Sequence, residues 1–167
     1  MTWLRFPSVL AFAVLLAAAL AQDSLIPKVP IVTATPSETV AVAPGGSVRV
    51  ELRFRVSPGF HINSNKPHSE FLIPTRLKLS PPANLTPGNI LYPEGKDLTF
   101  SFSPQEKLNV YAGDFTVRAE LRAPASAQVG SYKVPGELRY QACNDRACFP
   151  PAKLPVEVEV TVRKPRS

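Results

Sequence analysis

The sequence predicts an all-β domain, an immunoglobulin-like antiparallel β-sandwich. Three observations carry that expectation. Apolar and polar residues alternate over several runs of about ten residues, Pro- and Gly-rich breakers separate the runs, and nothing after the N-terminal segment keeps a helix's 3.6-residue apolar period. Nineteen prolines in 167 residues argue the same way, because proline removes a backbone donor and clashes inside a helix. Seven or so short strands at this spacing is a sandwich pattern, with a closed barrel as the structural alternative. The length suits one domain, and the chain shows neither an internal repeat nor a second domain.

In chain order, Met1 to Arg5 carries one positive charge, Phe6 to Leu20 is almost unbroken apolar sequence, and Ala19-Leu20-Ala21 offers a small-x-small cleavage site. This reads as a secretory signal peptide over residues 1–21. A retained anchor is the weaker reading, since the run falls short of the ~20 residues a spanning helix needs. No later stretch is long enough to cross a bilayer, so the mature chain is expected to be exported without a transmembrane segment. Residues 22–37 are proline-rich and non-periodic, an extended leader ending in an edge strand. The sandwich domain is expected over residues 38–163, and 164–167 form a tail.

Within the domain, SVRVELRFRV (47–56) sets Val48, Val50, Leu52, Phe54 and Val56 on one face and Arg49, Glu51, Arg53 and Arg55 on the other. DFTVRAELRA (114–123) and LPVEVEVTV (154–162) repeat that alternation, the mark of half-buried strands. Shorter strands are expected at 38–43, 72–79, 97–103 and 133–142. Breakers stand at Pro44-Gly45-Gly46, Pro58-Gly59, Pro81-Pro82, Pro87-Gly88 and Gly113.

The net charge of +6 becomes +5 once Arg5 leaves with the signal. The basic residues are scattered and alternate with apolar ones, like a solvated strand face. Nucleic-acid binding would want a basic stripe with stacking aromatics, so no nucleic-acid partner is expected.

The chemistry rests on YQACNDRACFPP (140–151), which holds the only cysteines, Cys143 and Cys148, with four residues between them. Export places them where disulfides form and persist. As a structural staple, so small a loop contributes roughly 2 kcal/mol, in a chain large enough to fold on its β core. A zinc site would want four ligands, and neither His61 nor His68 stands at ligand spacing from the cysteines; copper held by both thiolates stays open as a minor alternative. The redox reading draws on the polar loop. Asp145 and Arg146 turn it toward solvent, and Pro150-Pro151 stiffen its exit, leaving a small-loop disulfide open to an external thiolate.

The same stretch, extended to residue 160, resembles the N-terminal domain of the thiol:disulfide interchange protein DsbD. The matching residues are Tyr140, Gln141, Cys143, Cys148, Phe149, Pro150 and Pro151, followed by a final strand. SPGFHINSNKP (57–67) and ILYPEGKDLTF (90–100) resemble that family's segments further upstream, so the likeness spans about 35–162. The resemblance implies an immunoglobulin-like fold in the periplasm whose Cys143–Cys148 pair cycles between dithiol and disulfide without another cofactor. It implies a thioredoxin-like or membrane-embedded electron donor, and periplasmic oxidoreductases or isomerases as clients. Cys148 would form the mixed disulfide and Cys143 would resolve it. A cap loop would fall within 92–102, with Tyr92, Phe100 or Phe102 supplying the shielding ring. Phe60, His61, Ile62 and Asn63 occupy the place of the family's site tyrosines, with Phe149 beside the second cysteine. Two departures stand out: many relatives have five residues between the cysteines, and the full family protein continues into transmembrane helices and a thioredoxin-like domain. The rival reading is a non-catalytic binding module whose disulfide pins a hairpin.

Overall fold

The strictest alternation in the sequence forms the middle of the first sheet. In the computed structural model, which describes residues 30–164, Ser47–Val56 is one strand with Val50, Leu52, Phe54 and Val56 buried and its charged residues exposed. Numbered along the chain, the strands are β1 (Val32–Thr35), β2 (Val40–Val42), β3 (Ser47–Val56), β4 (His61–Asn63), β5 (Arg76–Leu79), β6 (Thr86–Leu91), β7 (Lys96–Phe100), β8 (Ser103–Tyr111), β9 (Asp114–Arg122), β10 (Gly130–Tyr140), β11 (Ala142–Cys143) and β12 (Ala152–Val162). No helix occurs among the described residues, and the fold is the immunoglobulin-like sandwich expected. The signal segment 1–21 lies outside them, as do residues 165–167 of the tail.

Three hydrogen-bonded sheets result, in the orders β1-β3-β9-β6, β2-β12-β10-β5 and β11-β4-β8-β7. The inner faces of the first two meet in one core that joins Val50, Leu52, Phe54, Val117 and Leu121 to Val134, Leu138, Val158, Val160 and Val162. Phe54 and Phe115 face each other across β3 and β9 with ring centroids 5.2 Å apart. On the outer face the basic residues meet acids across the strands. Arg55 chelates Asp114 through Nε (2.6 Å) and Nη2 (3.0 Å), and Arg118 reaches Glu51 at 2.9 Å. Exposed pairs of this kind add little each; the face is solvated, as its alternation indicated.

The leader contributes β1 at the edge of the first sheet, beside β3, the edge strand expected there. Several other elements differ from the sequence expectation. One pairing is parallel: β2 crosses to the second sheet and meets the end of β12, Val40 opposite Val160. The run at 97–103 is not one strand but β7, a turn at Ser101-Phe102, and the start of β8. Lys96 to Thr99 and Pro104 to Lys107 are exposed on both faces of this ribbon, and the alternation of Leu98, Phe100 and Phe102 with polar residues runs straight through the turn without marking it. Strand β4 is missed because all three of its residues are buried. Pro135 sits inside β10 without harm. Its carbonyl accepts from Ser80 N just past the end of β5, so the side on which it lacks a donor needs none.

The run expected at 133–142 is divided. Strand β10 ends at Tyr140, the chain turns at Gln141, and β11 joins the third sheet beside β4. After the cysteine loop the chain returns as β12, which pairs with β10 from Ala152 opposite Tyr140 onward. The cysteine segment is thus the tip of the longest hairpin of the sandwich, bent over to pair with the third sheet.

Candidate functional site

Asn144 shapes the loop between the cysteines. Its side-chain oxygen accepts from the N–H groups of Arg146 and Ala147, both at 2.9 Å, while its own N–H donates to Ala147 O at 3.0 Å. This is the local side-chain turn that asparagine favours. It closes four residues tightly enough that Cys143 and Cys148 form a β-bridge, are disulfide-bonded, and have Cα atoms 3.9 Å apart. Asp145 and Arg146 lie exposed at the tip. The two sulfur-bearing residues differ sharply: Cys143 is 0% exposed, while Cys148 is on the surface.

Behind the loop, Gln141 fastens the corner. Its Oε1 accepts from Asn63 Nδ2 (3.1 Å) and Ile73 N (3.3 Å), and its Nε2 donates to Phe149 O at 3.3 Å. Asn63 also donates through Nδ2 to Ile73 O (3.0 Å), and Phe149 N donates to Ala142 O (2.8 Å). The entry of the loop is therefore tied to β4 and to the segment that follows it, and the exit is tied to the entry. Phe149 is half-buried, its ring 5.9 Å from that of Phe60.

His61 stands directly opposite Cys143 in the antiparallel β11–β4 pair. It is 4% exposed, its Nε2 is buried without a hydrogen-bond partner, and burial lowers its pKa to about 4. Phe100 stacks on its imidazole with centroids 3.9 Å apart and planes within 14°, and Phe102 stacks in turn on Phe100 at 5.6 Å. Ser101, between them, donates from Oγ to Asp145 O at 2.6 Å. The tip of the β7–β8 hairpin thus lies across the disulfide loop, held by a ring stack and one hydrogen bond.

Of the residues named from sequence, Cys143, Cys148, His61, Asn63, Phe149, Phe100 and Phe102 come together here. Tyr92 does not join them. Its hydroxyl accepts from Leu77 N at 2.7 Å and its ring packs on the main core. The sequence reading gave no role to Gln141, Ser101 or Asn144. The Asn-Asp pair just after Cys143 carried a turn signal for Asn144; the partners of the other two lie across the fold. Among the described residues, no group of three or more His, Cys, Asp or Glu is placed to hold a metal ion. No helix there is long and apolar enough to cross a membrane.

The family described as thiol:disulfide interchange protein DsbD, N-terminal, matches residues 29–159. The chain belongs to that family. The matched span begins just ahead of β1 and ends within β12, so it takes in the whole site. Among solved structures, the reduced DsbD N-terminal domain of Neisseria meningitidis shares 24% identity over 67% of this chain and 77% of its own, with a TM-score of 0.43. The complex of the DsbD and PilB N-terminal domains from the same organism matches at 22% identity over 81% of this chain and 88% of its own, with a TM-score of 0.46. The N-terminal periplasmic domain of ScsB from Proteus mirabilis matches at 13% over 75% of this chain and 43% of its own, with a TM-score of 0.49. No curated protein matches by sequence.

Proposed function

We propose that this DsbD-family domain is an exported, periplasmic thiol–disulfide exchange module that takes electrons from a donor dithiol and passes them to client disulfides. One observation carries this: the disulfide is asymmetric, with Cys148 exposed and Cys143 fully buried behind it. A bond whose only role is to pin a hairpin has no need of one open and one closed end.

The chemistry follows from that asymmetry. A donor thiolate attacks Cys148 Sγ, the Cys143–Cys148 bond breaks, and Cys143 leaves as a thiolate that takes up a proton. The donor's second thiol displaces Cys148 and leaves the donor oxidised. The Cys148 thiolate then attacks a client disulfide and releases one client thiol. Cys143 attacks Cys148 Sγ, frees the second client thiol and restores the disulfide. Two electrons and two protons pass from donor to client, and no further cofactor is needed.

Phe100, backed by Phe102, is the shielding ring in this reading, with the β7–β8 tip as cap; Tyr92 is too firmly held in the core for that part. The donor is a thioredoxin-like or membrane-embedded dithiol protein, and the clients are periplasmic oxidoreductases or isomerases. The Neisseria DsbD domain forms a complex with a PilB domain, a partner of its own to try here.

The test is a redox titration in glutathione and dithiothreitol buffers with trapping of free thiols. An exchange module is expected to poise above the roughly −300 mV below which inert structural disulfides lie. Cys143→Ala is expected to accumulate mixed disulfides through Cys148, and Cys148→Ala is not. A potential well below that limit, or no adduct in Cys143→Ala, defeats the proposal.

A further inference from the structure

We propose that His61 is the proton acceptor for Cys143 in the closing step, a role it takes up only while the β7–β8 hairpin is lifted. This rests on the exchange reading above and extends it to a residue that the cysteine motif does not contain.

The register places the two groups together. Cys143 and His61 are direct partners in an antiparallel pair, so their side chains leave the same face with Cβ atoms roughly 5 Å apart. Both are buried, at 0% and 4% exposure. A thiol in such surroundings is held in its protonated form, so Cys143 needs a base before it can attack. The Nε2 of His61 is buried with nothing bonded to it. In the disulfide the side chain of its partner residue has no proton to give; reduction creates a thiol there, the first side-chain donor on Cys143.

Phe100 decides when the base works. Stacked at 3.9 Å, it keeps water from the imidazole, and burial is the only cause of that group's lowered pKa. The charged and titratable groups on the neighbouring elements are Asp145 and Arg146 in the loop, Lys96 and Asp97 on β7, and Glu106, Lys107 and Tyr111 on β8; none contributes to the shift. Lifting the ring lets water return and moves the imidazole back toward its ordinary value of about 6.5. In the mixed disulfide, Cys143 Sγ–H then passes its proton to His61 as the sulfur attacks Cys148 Sγ. The bond from Cys148 to the client breaks, the client leaves as a thiolate, and the imidazolium returns the proton to it.

The experiment uses the reduced protein and one equivalent of dithiobis-nitrobenzoate, followed by stopped flow from about pH 5 to pH 9. The first thionitrobenzoate reports attack by Cys148, the second reports closure by Cys143. In the natural protein the closure rate is expected to fall off below a pH in the histidine range. In His61→Phe, which keeps a ring for Phe100 to stack on, the ratio of second to first phase is expected to drop at least about tenfold at neutral pH, with the break moved up into the thiol range. His61→Gln, polar but unable to take a proton, is expected to behave the same way and carries the test if the Phe variant fails to fold. An unchanged ratio and profile in the folded variants overturns the proposal, as does a natural-protein profile with no break near histidine's range. A natural protein that forms no dithiol, or releases no second thionitrobenzoate, overturns the exchange reading itself, an outcome distinct from both.

Discussion

His61 spends stability at acid pH. Its pKa is about 4 in the fold against 6.5 outside it, through burial. Between those values the unfolded chain binds a proton that the folded one does not, so stability rises with pH through that window. The contribution is complete above pH 6.5 and is lost as pH falls toward 4, up to about 3 kcal/mol at ~1.4 kcal/mol per pH unit. Urea unfolding of the natural protein is expected to show this loss on going from neutral to about pH 4, and His61→Phe to remove most of it. Equal pH slopes in the two proteins would exclude the mechanism. At this scale the sequence was legible where chemistry is rare: two cysteines and a Pro-Pro exit drew attention to the loop at once. It marked Gln141 only as part of the motif, without a role, and was silent on Ser101. A hydrogen bond to Ile73 N or Asp145 O from more than forty residues away leaves no local pattern.

Among the elements, the β7–β8 hairpin is anchored at its base, where Leu108, Val110 and Tyr111 are buried and β8 pairs with β4, and is exposed toward its tip. Its tip is fastened to the site by the Phe100–His61 stack and by Ser101 to Asp145 O, while Lys96 to Thr99 and Pro104 to Lys107 stand in water. An aromatic pair of this kind contributes about 0.5–1.5 kcal/mol beyond area burial. Phe100→Ala is therefore expected to raise the open population and speed reduction of the disulfide by dithiothreitol, by up to about tenfold. The melting temperature should hardly move, because the main core is untouched. A variant reduced no faster than the natural protein would mean that the ring guards nothing. The hairpin also shows where periodicity misleads. Leu98, Phe100 and Phe102 alternate with polar residues straight through the turn at Ser101-Phe102, whereas in β3, β9 and β12 the alternation marks a face that meets the core. A three-residue strand dry on both sides, like β4, gives no alternation.

For the molecule as a whole, the core and the cysteine pair are energetically separate. The buried cluster runs between the first two sheets through Phe54, Leu121, Leu138 and Val160, and the disulfide closes a loop with only four residues between its ends. Losing such a bond costs roughly 2 kcal/mol. Cys143→Ser with Cys148→Ser, or simple reduction, is thus expected to lower the melting temperature modestly and leave the sheet signal in circular dichroism intact. Loss of that signal would make the bond a structural staple after all. This separation marks the division between sequence and fold. Alternation at period two, breaker spacing and the cysteine motif determined by themselves that the chain is a β-sandwich with a small disulfide loop near its end, because each is a local signal written in neighbouring residues. Only the tertiary structure decided that the loop bends at Gln141 onto the third sheet, that His61 pairs with Cys143, that Phe100 rather than Tyr92 stacks on that histidine, and that one sulfur-bearing residue is buried and the other open. Those facts depend on which distant strands meet and in what register, and contacts across dozens of residues are fixed by packing.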